Sequence, residues 1–294
     1  MPKRSAPAAA RAPARLHRMQ AASPHLYAPT PERPLRAKHS VLAEDTHVDP
    51  HRHDWAQLAW SATGVLRLTT RGGTYLVPPS RALWIPPGVE HAVTVVERAA
   101  LCTLYLHQRP GCCGPGARKP ADGAGWQQCR VLEVSDLLRA LMLALPSAPD
   151  SPGDGPAPAA EALERERLIA PLLADELRRA APVPLGVAMP QDKRLRALCE
   201  AVLAAPTRHD TLGAWVRDVG ASERTIARLF RDELGTSFGQ WRQQVLLARA
   251  LTLAARKRPM SEIAAELGYA SPSAFSAMVR RSLGAPPSRL FGAA

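Results

Sequence analysis

The chain has 294 residues, a formal net charge of +12 and 46% hydrophobic residues. That is enough apolar material for the cores of two domains, and it excludes a fibrous or wholly disordered polypeptide. No stretch is apolar for long enough to span a bilayer, and five cysteines, an odd number, read as reduced thiols of a cytoplasmic protein rather than as a disulfide framework.

The charge is unevenly spread. Residues 1–20 carry five Lys/Arg and no acid, residues 191–294 carry 16 basic and nine acidic residues, and the stretch between is neutral. Residues 1–38, rich in Ala, Pro and Arg and without the apolar centre of a signal peptide, read as a disordered basic arm. Residues 39–107 are β territory: runs at 57–62, 65–70, 74–77, 82–85, 92–96 and 101–106 are separated by turn pairs such as Thr63-Gly64 and Gly72-Gly73. Such spacing predicts a small sandwich or barrel, with Trp55, Trp60 and Trp84 lining or closing it. Residues 108–134 read as a Gly/Pro/Cys-rich loop followed by a strand. Within it, Cys112-Cys113 is either a tolerated loop pair or a thiol pair open to oxidants or a soft metal.

Helical periodicity follows. Ser135 caps a helix with Leu137, Leu138, Leu141 and Leu145 on one stripe. A second helix at 159–180 carries Leu163, Leu168, Leu172, Leu173 and Leu177, with Pro171 predicted to kink or break it. This pair at 135–180 is either internal packing or a dimerisation surface. Residues 181–191 read as an extended linker. Residues 192–294 read as wholly helical, with helices at 193–204, 211–219, 222–234, 238–255, 261–267 and 272–283.

Within that last segment a pattern occurs twice. The stretch from Ser222 to Gly235 recurs 49 positions on from Ser271 to Gly284, with Ile226/Phe275, Leu229/Met278, Arg231/Arg280 and Leu234/Leu283 in register. Each copy is a Ser-capped helix with a narrow apolar stripe, an Arg-bearing outer face and a Gly stop, and each follows a short helix and a Gly turn (Gly220, Gly268). Two helix-turn-helix units in a basic segment point to double-stranded DNA as partner. In the first, Ser222, Arg224, Thr225, Arg228 and Arg231 face outward; Arg224 and Arg228 suit guanine edges and Arg231 suits phosphate. In the second, Ser271, Ser273, Ser276, Arg280 and Arg281 occupy the same surface, poorer in long donors and suited to phosphate and methyl contacts. The connecting helix at 238–255 is about 27 Å long at ~1.5 Å per residue, which suits two successive major-groove segments about 34 Å apart.

This arrangement resembles the AraC/XylS family of transcription regulators over residues 193–290. Leu267-Gly-Tyr-Ala-Ser-Pro-Ser-Ala-Phe-Ser276 looks like the family's second helix-turn-helix signature, and Gly235-Thr-Ser-Phe-Gly-Gln-Trp-Arg242 matches the start of its connecting helix. Leu246, Lys257, Val216, Val279 and Leu290 depart from residues common there. The resemblance implies sequence-specific binding to promoter DNA, a small-molecule effector, and RNA polymerase and a second subunit as further candidate partners.

The β segment contains His51-Arg-His53 followed by Gln57 and Gly64, then Pro86-Pro-Gly88-Val-Glu-His91. Histidines at i and i+2 of an extended segment share a face, and a third from a distant strand completes a three-nitrogen set to which Gln57 adds an oxygen. The pattern looks like the cupin fold, with Gln57 in place of the usual Glu. His51, His53, Gln57 and His91 are therefore the candidate effector or metal residues. No cofactor is required by this reading, and a divalent metal is the candidate one; the alternative is three histidines bonded to one another, to water or to an effector.

The expected protein is an α+β multidomain one: an N-terminal cupin-like β-barrel plus helix pair, and a C-terminal all-α double helix-turn-helix domain. Its expected role is effector-responsive transcription regulation, with no catalytic residues. The competing readings are a metal-dependent cupin enzyme with a helical appendage, and a DNA-binding module whose barrel only dimerises.

Overall fold

The structure is a computed structural model that describes residues 17–20, 24–79, 81–96, 98–150, 159–183, 185–217, 220–255, 257–283 and 286–287. The expected basic arm over 1–16, the Gly284 stop and Leu290 lie outside the described residues. In chain order the strands are β1 (His17–Met19), β2 (Leu35–Leu42), β3 (Thr46–His51), β4 (Ala56–Ser61), β5 (Leu66–Thr70), β6 (Gly73–Val77), β7 (Arg81–Ile85), β8 (His91–Val95), β9 (Ala99–Leu106) and β10 (Arg130–Glu133). The helices α1 (Asp136–Ala144) and α2 (Ala160–Arg179) follow, then the short strands β11 (Pro182–Val183) and β12 (Gly186–Ala188). The C-terminal helices are α3 (Lys193–Ala204), α4 (Leu212–Val216), α5 (Glu223–Leu234), α6 (Phe238–Ala255), α7 (Met260–Glu266) and α8 (Pro272–Leu283).

The strands form two six-stranded sheets, one in the order β1-β3-β8-β5-β6-β12 and the other β11-β10-β7-β4-β9-β2. Among the described residues no strand pairing joins the sheets, so the cupin-like unit is an open two-sheet sandwich rather than a hydrogen-bonded closed barrel. The second sheet is covered on both faces. Along β4, Ala59 enters the core between the sheets, while Leu58 and Trp60 pack outward with Leu138, Met142, Ile169, Leu173 and Leu177 of α1 and α2. Burial on both faces accounts for the uninterrupted apolar stretches Leu58-Ala59-Trp60 in β4 and Ala82-Leu83-Trp84-Ile85 in β7.

Four expectations are corrected or refined. Part of the supposed arm is ordered: residues 17–19 form β1 beside β3, and residues 35–38 begin β2, which pairs along its whole length with β9. Arg33 and Arg36 anchor this segment to the helix side through Glu166 and Asp150, with Arg33 Nη2 donating to Glu166 Oε1 at 2.6 Å and Arg36 Nη1 to Asp150 Oδ2 at 2.7 Å. Glu166 is buried and its partners lie far off in sequence, so no local pattern announces it. Second, of the two expected effects of Pro171 the break does not occur, since α2 runs through it from Ala160 to Arg179. Third, the leucine stripe divides: Leu138, Leu145, Leu173 and Leu177 are buried, whereas Leu137, Leu168 and Leu172 are exposed.

Fourth, the linker is part of the sandwich. Pro182 and Val183 pair with β10 on one sheet, and Gly186–Ala188 pair with β6 on the other. Val187 then enters a helical core with Leu195, Leu198, Trp215, Ile226, Phe230 and Trp241. The apolar residues of the second helix-turn-helix, Leu247, Leu251, Ile263, Leu267, Phe275, Met278 and Val279, belong to the same buried cluster as the core between the sheets. Helix starts follow the expected chemistry: Asp192, Thr211 and Ser222 accept from backbone N–H groups of the first turns of α3, α4 and α5, and Gly235 ends α5 at φ 61°.

Candidate effector site and nucleic-acid interface

β3 ends at His51 and β8 begins at His91, and the two residues are register partners. His53 lies just past β3, where its carbonyl accepts from Gly88 N–H at 2.8 Å; Gly88 has φ +75°, a left-handed conformation that glycine adopts without strain. That bond ties the two sequence motifs together. Gln57 enters from β4 on the same face as Ala59, which puts its side chain between the sheets. The structure thus brings all four expected residues together, and the ligating atoms of the three histidines lie within 4.8 Å of one another.

The hydrogen bonds decide the chemistry. His51 Nδ1 donates to Asp49 O at 2.9 Å, His53 Nδ1 to Trp55 O at 2.7 Å and His91 Nδ1 to Val89 O at 2.9 Å. A carbonyl only accepts, so each Nδ1 carries the hydrogen, and in the neutral ring Nε2 keeps its lone pair. His91 Nε2 is buried and has no partner. His53 Nε2 lies 2.7 Å from Gln57 Oε1. Two acceptors do not bond each other; either the Gln57 amide turns its NH2 toward the ring, or an electrophile sits between them. Backbone carbonyls orienting ring N–H groups are the usual outer support of a metal-binding histidine, so the residues fit a divalent cation.

Burial pushes the His91 imidazole down to about 4, with the neighbouring His51 and His53 rings adding to the fall and the Val89 carbonyl opposing it. Burial also lowers His53, against the opposing pull of Gln57. Both rings are neutral at neutral pH, the form a metal requires. Two residues not singled out as ligands wall the site. Trp55 stacks on His53 with centroids 5.0 Å apart, and Tyr105 meets His53 edge-on at 5.7 Å. Trp55 stands two residues from His53, but only the β4–β9 register, which pairs Gln57 with Tyr105, finds the tyrosine. Trp60 and Trp84 are core residues on the opposite face of that sheet, bonded to Pro79 O and Trp126 O. Cys113 Sγ donates to Trp126 O, and all five cysteines are free thiols.

In α5, Ile226, Leu229 and Phe230 are buried, while Ser222, Arg224, Arg228 and Arg231 are exposed and Thr225 is half-buried. Ser222 Oγ caps Thr225 N, and Arg228 Nη1 donates to Asp232 Oδ2 at 3.1 Å. In α8, Phe275, Met278 and Val279 are buried; Ser273, Arg280 and Arg281 are exposed, and Ser271 and Ser276 are half-buried. Pro272, Ser273, Ser276, Ala277 and Arg280 line a shallow hollow of about 340 Å³. Its small side chains leave room for a backbone or a methyl group to approach closely. No helix among the described residues is long and apolar enough to cross a membrane.

A two-sheet sandwich with a cluster of candidate ligand residues, fastened to paired helix-turn-helix units, defines a DNA-binding regulator with a ligand-binding domain. Residues 33–182 match the model of the AraC-like ligand binding domain, and residues 215–293 match that of a helix-turn-helix domain. The chain is 33% identical to the HTH-type transcriptional regulator NimR of Escherichia coli (strain K12) over 239 residues, 81% of this chain and 80% of that protein. It is 30% identical to the HTH-type transcriptional regulator RipA of Corynebacterium glutamicum over 100 residues, 34% of this chain and 30% of that one. ToxT from Vibrio cholerae covers 87% of this chain and 97% of its own at 8% identity and a TM-score of 0.35, too loose a likeness to carry an argument. The chain belongs to the AraC family: it is a DNA-binding transcription regulator with a ligand-binding domain.

Proposed function

We propose that the effector site of this regulator is the His51, His53, His91 and Gln57 cluster, and that it holds a divalent cation whose occupancy adjusts binding to promoter DNA in the cytoplasm. The observation that carries this reading is the shared tautomer: with three Nδ1–H groups spent on backbone carbonyls, the neutral rings of half-buried His51 and buried His53 and His91 keep Nε2 as the donor atom, and His91 Nε2 is buried without a partner. When bound, the cation supplies a Lewis-acid centre that draws Nε2 and amide oxygen donors together and offers a position to an effector oxygen. Trp55 and Tyr105 limit the room beside it.

On the DNA side, Arg224 and Arg228 read base edges, Arg231, Arg280 and Arg281 hold phosphates, and the N-terminal turn of α8 presents Ser271, Ser273 and Ser276. A second copy of the chain is the proposed occupant of the surface that exposes Leu168 and Leu172 on α2, with Leu137 exposed on α1, and RNA polymerase is the further proposed partner of the DNA-bound form. The protein is not proposed to be an enzyme: Gln57, a neutral amide, cannot take up a proton beside the metal as a carboxylate does. The test is calorimetric titration of metal-free protein with Zn²⁺, Ni²⁺ and Mn²⁺, followed by genome-wide footprinting with and without the ion that binds. Tight stoichiometric binding with an altered footprint supports the reading; no binding by any of the three refutes it.

A further inference from the structure

One transverse row of the first sheet runs from the histidine cluster to the DNA-binding unit. His51 on β3 is the register partner of His91 on β8, His91 of Thr70 on β5, Thr70 of Gly73 on β6, and Gly73 of Ala188 on β12. The row continues beyond the sheet, where the buried indole of Trp241 on α6 donates through Nε1 to Ala188 O at 2.7 Å. Three residues further along the chain, the backbone N–H groups of Gln191 and Asp192 donate to the Glu233 carboxylate at 2.6 and 3.2 Å. Glu233 belongs to α5, the helix that presents Arg224, Arg228 and Arg231.

The joint is tight. A Cβ on Gly73 would meet the backbone oxygen of Val187 at 2.8 Å, so that position needs glycine for β12 to pair, and a Cβ on Gly186 would meet the Tyr75 ring at 2.7 Å and displace it. Met189 N–H donates to Gly72 O beyond the last pair. Val187 and Met189 pack in the same apolar group as Ile226 and Phe230 of α5 and Trp241 of α6. Strand β12 therefore belongs at once to the ligand-binding sheet and to the core beneath the first recognition helix. A packed core has discrete arrangements rather than continuous ones, so a shift at the head of the row arrives as a choice of placement for α5.

We infer that Glu233 and Trp241 are positioning residues for DNA recognition: they transmit the state of the histidine cluster to α5 through β12. This rests on the proposed role of the cluster as the effector site, and Zn²⁺ serves as the probe. Hydrogen exchange is followed on the full-length protein, wild type, Glu233→Ala, Glu233→Gln and His91→Ala, together with affinity for a duplex selected by the wild type from a random pool. In the wild type, Zn²⁺ is expected to slow exchange at residues 70–75 and 186–192 together and to change duplex affinity by roughly tenfold. Glu233→Ala is expected to bind Zn²⁺ as tightly but to change duplex affinity by less than about twofold, and Glu233→Gln, which keeps an acceptor oxygen, to restore the response. Protection confined to residues 49–95, or an undiminished response in Glu233→Ala, overturns the inference. If wild type binds no Zn²⁺, the fate of the metal reading is decided by the Ni²⁺ and Mn²⁺ titrations, and the joint is judged by metal-free His91→Ala, where faster exchange at 186–192 upholds it and unchanged exchange overturns it.

Discussion

His51 and His91 stand directly opposite each other on β3 and β8, their ring centroids 4.3 Å apart, although β4 to β7 intervene in the chain. The pairing makes one nitrogen set out of two separate motifs. Burial keeps His91 neutral, and the Val89 carbonyl aims its remaining lone pair.

His91→Ala removes the unpartnered Nε2 and a full ligand. Metal affinity is expected to fall by more than the roughly 10–100-fold that loss of an outer supporting residue costs, while binding to DNA at low ionic strength persists. Isothermal titration and gel shift on the same preparation check both halves. Retained metal affinity places the ion elsewhere.

Arg228 and Arg231 are expected to separate by kind of contact. Arg228→Ala should cost about 1–3 kcal/mol at the specific duplex and far less on random DNA. Its ion pair with Asp232 is exposed on both sides, so little of that loss reflects helix stability. Arg231→Ala should weaken both duplexes alike and reduce the slope of log K against log salt by about 0.9. Equal losses on both duplexes for Arg228→Ala would assign it to phosphate.

The contact of Glu166 with Arg33 and Arg36 is an internal tie between the N-terminal segment and α2. Glu166→Leu leaves Arg36, only 2% exposed, with the half-exposed Asp150 as its carboxylate partner. A loss of about 3 kcal/mol in urea unfolding is expected, with fluorescence and circular dichroism giving one midpoint each.

Alkaline pH should weaken the sandwich. Burial pushes the Cys102 and Cys129 thiols up to about 12 from an ordinary 9, and the Tyr75 phenol up to about 12 from an ordinary 10, the last helped by Cys129. The unfolded chain releases these protons first. Their contribution is whole below pH 9 and is lost as pH rises toward 12, by up to about 1.4 kcal/mol per unit for each group. Urea midpoints at successive pH values check this, and Cys102→Ala should flatten the decline.

Leu168 is 66% exposed on α2 and Leu172 is 45% exposed one turn on. Leu168→Glu is expected to shift a dimer to monomer in analytical ultracentrifugation while changing the unfolding free energy of the monomer by less than about 0.5 kcal/mol. An unchanged sedimentation profile rejects that face as the contact.

The two helix-turn-helix units were legible without tertiary structure because their determinants are local. Ser222 and Ser271 cap their helices, the i, i+3 and i+4 stripes choose the buried face, and Gly220, Gly235 and Gly268 take positive φ where the chain must turn. Six of the strands were legible for a similar reason, as short apolar runs between turn residues. The histidine cluster was half legible: residue type and spacing named its members, but the orientation of each ring came from carbonyls that no spacing rule predicts.

What the sequence by itself determined is the class of the protein, because caps, turns and periodic stripes act within a few residues of chain. Tertiary structure alone decided that the apparent linker is a strand shared by two cores, that Arg36 and Glu166 meet, and that Tyr105 walls the site. Strand register and buried ion pairs join residues far apart in sequence. Their free energy exists only when the intervening chain has already packed, so no local window contains it.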